Sequence, residues 1–410
     1  MKVSATLKCQ EIKNQRLANN LPVYDFGLGA NPIPQPQKFI ELVQKYAHLK
    51  DYTSAKGIPK FQKTIQTTFS NDQYKIQHVV CGNGLKEILF IAQLSFLQLY
   101  GSSSKIIHLT PSWVSYKEQI GLLGKIDQLV EIETTYEDGY KVDLKILDQT
   151  LQNYENCPKM LIFNNPNNPT GIHYTPQEVQ AIAQVLKKHN CLVFTDEIYA
   201  NLVDNIESIS QYIPGQTIRG SSVSKDMGCG GYRLGWMTFP TELTDLFHIC
   251  NSNASSVYSC PSILFQHATS DMFQNHKIFQ NHCDTTKRIF SQIIQAVDDI
   301  LESTNLDYIK PTGAWYMFIG FEKYKKQLEK KYGIQSSIQL SEYLINTLGI
   351  VTVPGEAFNK SGMNLRFSLV DIDVKKITFD KTNNKLNPEA YDKITKGFRL
   401  IIQFLDKLTK

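Results

Sequence analysis

The most legible pattern of apolar and polar positions lies between Lys159 and Tyr199. Met160-Leu161-Ile162-Phe163 is a continuous apolar run, and the polar stretch NNPNNPTG follows it. Val179, Ile182, Ala183 and Leu186 then recur at helical spacing before a second run, Cys191-Leu192-Val193-Phe194. Runs apolar at every position predict strands covered on both faces, and two of them joined by a helix predict a parallel βαβ crossover. The helix start is marked by Thr175 as N-cap, Pro176 at the first helical position with its φ already set, and Glu178 completing a capping box. Ligands of such sheets sit beyond the carboxyl ends of the strands, and here those ends carry Asn168 and Asp196.

Further apolar runs, Lys105 to Leu109, Gly124 to Ile132, Thr217 to Arg219 and Arg233 to Phe239, extend the same sheet. A large α/β domain is expected over residues 45–285. Beyond it a helical stretch from Ser270 to Thr304 leads to strands at Gly313 to Phe321, Gly349 to Val353 and Asn364 to Val370. The last helix repeats Tyr391, Ile394, Phe398, Ile401, Leu405 and Leu408 on one face. These elements suggest a smaller α+β domain built from both chain ends, residues 1–44 and 286–410. The Asn/Lys-rich stretch Asp380 to Asn387 is the candidate mobile loop.

Composition narrows the function classes. With 410 residues, 42% of them apolar, the chain can bury a large core and is too long for one ordinary domain. Its 43 Lys and Arg against 39 Asp and Glu leave a net +4 without a basic block, so neither a nucleic-acid nor a membrane-surface role gains support. The longest apolar stretch, Ile88 to Leu99, is broken by Gln93, Ser95 and Gln98 and reads as a buried helix, not a membrane span. Eight cysteines without C-x-x-C spacing, several inside apolar runs, suggest a reducing, cytoplasmic location. The N-terminal twenty residues contain no apolar targeting segment.

One lysine has unusual neighbours. SSVSKDMGCGGYRLGW places Ser222 three residues before Lys225 and Arg233 eight after it, in a Gly-rich loop. A second Gly-rich turn, CGNGLKEILF, puts Gly84 ahead of a strongly apolar helix, where backbone N–H groups of Gly84, Leu85 and Lys86 can converge on an anion. Arg366, in Asn364-Leu365-Arg366-Phe367, lies within an apolar strand and therefore needs an anionic partner.

Together with NPTG and with Asp196 and Tyr199 in TDEIY, this ordered succession resembles the fold-type I pyridoxal-phosphate enzymes, specifically the class I/II aminotransferases, from Tyr24 to Val370. The resemblance implies a mostly parallel α/β PLP-binding domain with a smaller α+β domain, pyridoxal 5′-phosphate as cofactor, and amino-acid and 2-oxo-acid substrates exchanged in a ping-pong cycle. It also implies roles. Lys225 would form the Schiff base and shuttle the proton, and Asp196 would hold the pyridinium nitrogen. Tyr199 and Asn168 would bind the phenolic oxygen, and Trp113 would stack on the ring. Gly84, Leu85, Lys86, Ser222 and Arg233 would hold the phosphate, with Tyr52 reaching it from the second subunit of a homodimer. Arg366 would bind the substrate α-carboxylate, with the Gly29 backbone, Asn168 and Trp113 close to it. No metal is implied.

Two departures from the family pattern stand near the substrate mouth. Ala30-Asn31-Pro32 replaces the usual Glu-Pro-Asp, and Asn359 stands where a glycine commonly follows Ala-Phe. They bear on substrate identity. A PLP-dependent lyase or synthase, such as a C–S β-lyase or an aminocyclopropane-carboxylate-synthase-like enzyme, would use the same residues and is the alternative reading. In some family members the segment matching Asn251 to Pro261 brings an arginine from the partner subunit, but here it contains no Lys or Arg; the resemblance then makes Lys86, at the phosphate loop, the candidate cation for the distal carboxylate of glutamate or 2-oxoglutarate.

Overall fold

A computed structural model describes residues 5–409. A two-residue strand, β1 (Tyr24–Asp25), precedes a seven-stranded sheet of β2 (His78–Gly82), β3 (Lys105–Thr110), β4 (Leu129–Glu133), β5 (Lys159–Asn164), β6 (Leu192–Asp196), β7 (Thr217–Ser222) and β8 (Gly235–Phe239). The order is β2-β8-β7-β6-β5-β3-β4. Neighbours run parallel except at β8, which is antiparallel to both β7 and β2. The expected α/β fold with a mostly parallel sheet is thus present. β5 is buried at every residue, as a strand covered on both faces must be. The helix Pro176–Lys188 between β5 and β6 begins with the expected capping box: the Thr175 hydroxyl accepts from the Glu178 N–H, and the Glu178 carboxylate accepts from the Thr175 N–H.

Register sets the floor of the site. Asn164 of β5 pairs with Asp196 of β6, and Asp196 with Gly220 of β7, so the polar strand ends fall in one row. Gly220 has to be small, since a Cβ there would lie 2.6 Å from the Phe194 ring.

Several elements differ from the sequence expectation. β4 starts at Leu129, not Gly124, because Gly124 in the left-handed region (φ +67°) closes the preceding helix and Ile126–Gln128 forms a 3-10 turn. β2 was not read from the sequence; its short run at the sheet edge merges with the apolar helix Leu85–Tyr100 that follows. The single helix expected from Ser270 to Thr304 is two, Ile263–Gln274 and His276–Leu301. Asn275 separates them, its side-chain amide donating to the Asp271 carbonyl at 2.7 Å, a local bond that competes with helix continuation.

The smaller sheet contains β9 (Asp307–Tyr308), β10 (Tyr316–Gly320), β12 (Val353–Pro354) and β13 (Asn364–Ser368), in the antiparallel order β12-β13-β10-β9. The strand expected from Gly349 to Val353 is split. β11 (Ile350–Val351) pairs in parallel with β1, whereas β12 joins the smaller sheet. That split carries the functional segment: β1 leads into Gly27 and Gly29, and the Ser368 N–H donates to the Phe26 carbonyl at 2.9 Å, laying this segment along β13 beside Arg366. Phe26 packs against Phe398 of the last helix, Asp392–Thr409, at 5.2 Å, and against Phe367 at 5.5 Å. On that helix Ile394, Phe398, Ile401, Leu405 and Leu408 are buried as the spacing predicts. The stretch expected to be a mobile loop is a hydrogen-bonded turn in which the Asp380 carboxylate accepts from the N–H groups of Thr382 and Asn383.

Candidate active site

A cavity of about 460 Å³ opens at the carboxyl ends of β5 and β6 and is closed by β10, β13 and the Gly27–Asn31 segment. Asp196, the last residue of β6, is buried there. Its Oδ2 accepts from the Tyr116 hydroxyl at 2.7 Å and its Oδ1 from the Ile198 N–H at 3.1 Å. Burial pushes its carboxyl up to about 6, against the opposing effect of those two bonds. Asn164 steadies the strand end, its amide donating to the Asp196 carbonyl at 3.1 Å and its Oδ1 accepting from the Asn168 N–H at 2.8 Å.

Lys225 sits on a single helical turn, Val223–Asp226, directly after β7. Its ammonium donates to the Gly29 carbonyl and lies 5.7 Å from the centroid of the Tyr199 ring. The Tyr199 hydroxyl meets that of Tyr316 at 2.7 Å, and burial followed by the Tyr316 contact raises the Tyr199 phenol well above its ordinary value. At the opposite end, Gly84 heads the helix Leu85–Tyr100 with φ +85°, and a Cβ there would lie 2.5 Å from Arg233 Nη2. Glycine is therefore required twice, for the left-handed backbone and for the approach of the guanidinium. Arg233 donates to the carbonyls of Asn83 at 2.7 Å and Gly230 at 2.8 Å, which fixes it over the helix N-terminus.

Arg366 reaches the cavity from β13. It is fully buried; Nη1 donates to Asn168 Oδ1 at 3.1 Å, Nη2 donates to the Gly27 carbonyl, and Nε has no partner. Burial lowers its pKa, and its nearest rings are Tyr316 at 4.8 Å and Phe358 at 5.1 Å. A guanidinium desolvated to this degree favours an incoming carboxylate. Its bond to Asn168 Oδ1 also leaves the Asn168 amide as a donor.

All but three of the residues singled out from the sequence line this cavity. Gly84 stands just behind Leu85 and Lys86. Ser222 is fully buried, with its hydroxyl accepting from the Ser224 N–H at 3.2 Å, and Ser224 lines the wall in its place. Tyr52 is 90% exposed and outside the cavity. Lys86 is exposed at the rim, its ammonium 5.0 Å from the centroid of the Trp113 ring.

Sequence reasoning missed Tyr116, Tyr316 and Phe358, all buried. Tyr116 follows Trp113 by three residues at the head of a helix, a spacing that could have placed both on one face. Tyr316 sits in an apolar run and looks like an ordinary core aromatic, and Phe358 is the one aromatic residue of the short 3-10 turn Gly355–Phe358. The two departures acquire reasons. The Asn31 amide donates to the Lys225 carbonyl at 2.7 Å, and Asn359 adopts φ +60°, a left-handed conformation that asparagine tolerates in place of glycine.

The fold and the site define an α/β protein with a lysine-bearing cavity lined by cations. The chain matches the family described as aminotransferase class I and II over residues 22–378, and it belongs to that family. It is an aminotransferase, moving an amino group between an amino acid and a 2-oxo acid. It is 27% identical over 369 residues to an aspartate aminotransferase of Bacillus sp. (strain YM-2), covering 87% of this chain and 88% of the relative. It is also 27% identical over 383 residues to an asparagine–oxo-acid transaminase of Streptococcus mutans, covering 90% and 92%. Among solved structures, aspartate aminotransferase from Thermus thermophilus with maleate superimposes with a TM-score of 0.81 at 20% identity, covering 98% of this chain and 97% of that one. The aromatic aminotransferase of Pyrococcus horikoshii gives 0.78 at 22%, covering 97% and 100%. These relatives are transaminases, so the lyase alternative is set aside.

The raised Asp196 carboxyl makes a prediction for the cofactor-free protein. A folded-state value of about 6 against an ordinary carboxyl near 4 means that the folded chain holds the extra proton, so stability is lost as pH rises from about 4 through about 6. Two pH units correspond to about 3 kcal/mol. Asp196→Asn cannot ionise, so in urea unfolding its advantage over the unaltered chain should grow by about that amount between pH 4 and pH 7. A difference independent of pH would contradict the burial assigned to Asp196.

Proposed function

We propose that the cavity binds pyridoxal 5′-phosphate and that Lys225, Asp196 and Arg366 carry the amino exchange. The observation that supports this most strongly is Arg366, a buried guanidinium with an unpartnered Nε in the same cavity as a lysine amine and a buried carboxyl. The residues present suit the group. Arg233 over the helix N-terminus, with the N–H groups of Leu85 and Lys86, would hold the phosphate, and the Gly84 N–H is already taken by the Gly82 carbonyl at 2.8 Å. Ser222 would join them after a rotation of its hydroxyl. Trp113 would cover one ring face, while Asn168 and Tyr199 would hydrogen-bond the phenolic oxygen.

When bound, the cofactor supplies an aldehyde for amines and a ring that accepts the electron pair released at the substrate Cα. Asp196 would hold the proton on the ring nitrogen; its own preference for neutrality when buried alone would be reversed by that cationic partner. Tyr116 and the Ile198 N–H fix the direction of that carboxylate. Lys225 would attach the cofactor through its amine, and once freed would serve as the base that takes the Cα proton and as the acid that returns it. Arg366 and Asn168 orient the α-carboxylate so that the Cα–H bond faces Lys225.

The cavity also bears on substrate choice. Its wall includes the apolar side chains Leu28, Val114, Val353 and Phe358, and its cations are Lys86, Lys225, Arg233 and Arg366. With three of these engaged, Lys86 remains for a distal carboxylate. We therefore assign glutamate or 2-oxoglutarate as one substrate and a neutral or aromatic amino acid as the other. Tyr52, exposed and not part of the lining of its own cavity, fits a residue that completes the site of a second subunit in a homodimer. Seven of the eight cysteines, those from Cys81 to Cys283, are free thiols, in keeping with a cytoplasmic enzyme.

Two variants test these roles. Lys225→Ala should bind the cofactor without the visible band of the lysine adduct and lose several orders of magnitude in rate, because attachment and proton transfer disappear together; near-normal turnover would remove Lys225 from the mechanism. Lys86→Ala should weaken the dicarboxylic substrate by about 1.5–3 kcal/mol in kcat/KM while sparing neutral amino acids. Equal losses for both would place Lys86 with the cofactor.

A further inference from the structure

The turn that carries Lys225 is only four residues long, Val223–Asp226. So short a helix has little internal hydrogen bonding and cannot hold its own position, so the lysine depends on ties from neighbouring elements. Asn31 provides one, to the Lys225 carbonyl. Asp226 provides the others. Its side chain is buried; Oδ2 accepts from the Asn201 amide at 2.9 Å, and Oδ1 has no partner at hydrogen-bond geometry. The ring of His282, on the helix His276–Leu301, lies beside the Asp226 backbone. Asn201 stands two residues after Tyr199, on the 3-10 turn Ala200–Leu202. The titratable groups facing the carboxyl are His282 and the thiols of Cys229 and Cys283; Lys287, paired with Asp204 and Asp284, lies farther along the same helix. A buried carboxyl with a single side-chain partner is costly to keep, and a core hydrophobe would fill the place without that cost.

We propose that Asp226 is a positioning residue for Lys225: with Asn201 it forms a buried clamp that locks the turn bearing the lysine to the turn bearing Tyr199. The clamp sets where the amine stands relative to the Tyr199 hydroxyl and the Gly29 carbonyl. It requires an acceptor at residue 226 and not a charge, because Asn201 is the donor. This inference rests on Lys225 being the residue that attaches the cofactor. Burial pushes the Asp226 carboxyl up to about 7, in keeping with a group that serves as acceptor in either protonation state.

The test compares Asp226→Ala, Asp226→Asn, Asn201→Ala and the Asp226→Ala/Asn201→Ala pair. Cofactor-free protein is mixed with pyridoxal phosphate, the adduct at Lys225 is trapped with borohydride at timed intervals and counted by mass spectrometry, and kcat and KM are measured on loaded enzyme, with melting temperature as the folding control. Displacing a reacting group by a fraction of an ångström costs about ten- to a hundredfold. Asp226→Ala and Asn201→Ala should each slow capture and kcat by about tenfold with KM within about twofold, and the pair should be no worse than Asp226→Ala alone, as for two ends of one contact. Asp226→Asn, which keeps an acceptor oxygen, should stay within about twofold of the unaltered chain. Should Asp226→Ala fail to fold, Asn201→Ala and Asp226→Asn carry the same comparison. The proposal is overturned if the alanine variants fold and capture the cofactor at the normal rate, if Asp226→Asn loses as much as Asp226→Ala, or if the two alanine effects multiply. Failure of the unaltered chain to form the Lys225 adduct would overturn the assignment of Lys225 itself, and this inference with it.

Discussion

Arg366 and Asp196 are withdrawn from water into one cavity without the counter-charges that would ordinarily accompany them. A buried guanidinium with a free Nε and a buried carboxyl pushed up to about 6 are both unfavourable in isolation. On the proposed reading, each becomes favourable when its missing partner arrives, a carboxylate for Arg366 and a protonated ring nitrogen for Asp196. The cavity is therefore specified by what it lacks. Its electrostatic cost, borne by the remainder of the fold, is recovered on binding, where low surrounding polarity makes each new ion pair stronger than it would be in water.

The rest of the structure holds these groups in place. Parallel register aligns Asn164, Asp196 and Gly220 at the strand ends, and Asn164 ties the first two together. The pairing of β1 with β11 brings the Gly27–Gly29 carbonyls to Arg366 and Lys225 from a distant part of the chain. Gly29 must be glycine in that position, since a Cβ would lie 2.1 Å from the Tyr316 hydroxyl. The same few contacts thus join the central sheet, the smaller sheet and the N-terminal segment around one cavity, so a change at any of them reaches the chemistry.

Much of this was legible in the sequence because it was local. The capping box at Thr175, the continuous apolar strands, the Ser222-Lys225-Arg233 spacing and the lone Arg366 in an apolar run each carry their meaning within a dozen residues. What was not legible depends on pairing across the chain. The split of Gly349 to Val353 between two sheets follows from which neighbour each half finds, and nothing in Gly-Ile-Val-Thr-Val records that. Tyr116 and Tyr316 look like core aromatics until the fold places their hydroxyls against Asp196 and Tyr199. The edge strand β2 and the break at Asn275 are further cases in which a short apolar or helical pattern was too continuous to reveal a boundary.

On the proposed reading the cavity is an exchange site, in which one buried carboxyl and two basic side chains serve the same transfer in both directions. A single half-reaction tests this most directly. Enzyme loaded with pyridoxal phosphate is given an amino donor and no acceptor, and 2-oxo acid and ammonia are both quantified. The expected result is one equivalent of 2-oxo acid per Lys225, no ammonia, and recovery of the starting absorbance on adding 2-oxoglutarate. Continuous release of ammonia in the absence of any acceptor would contradict it.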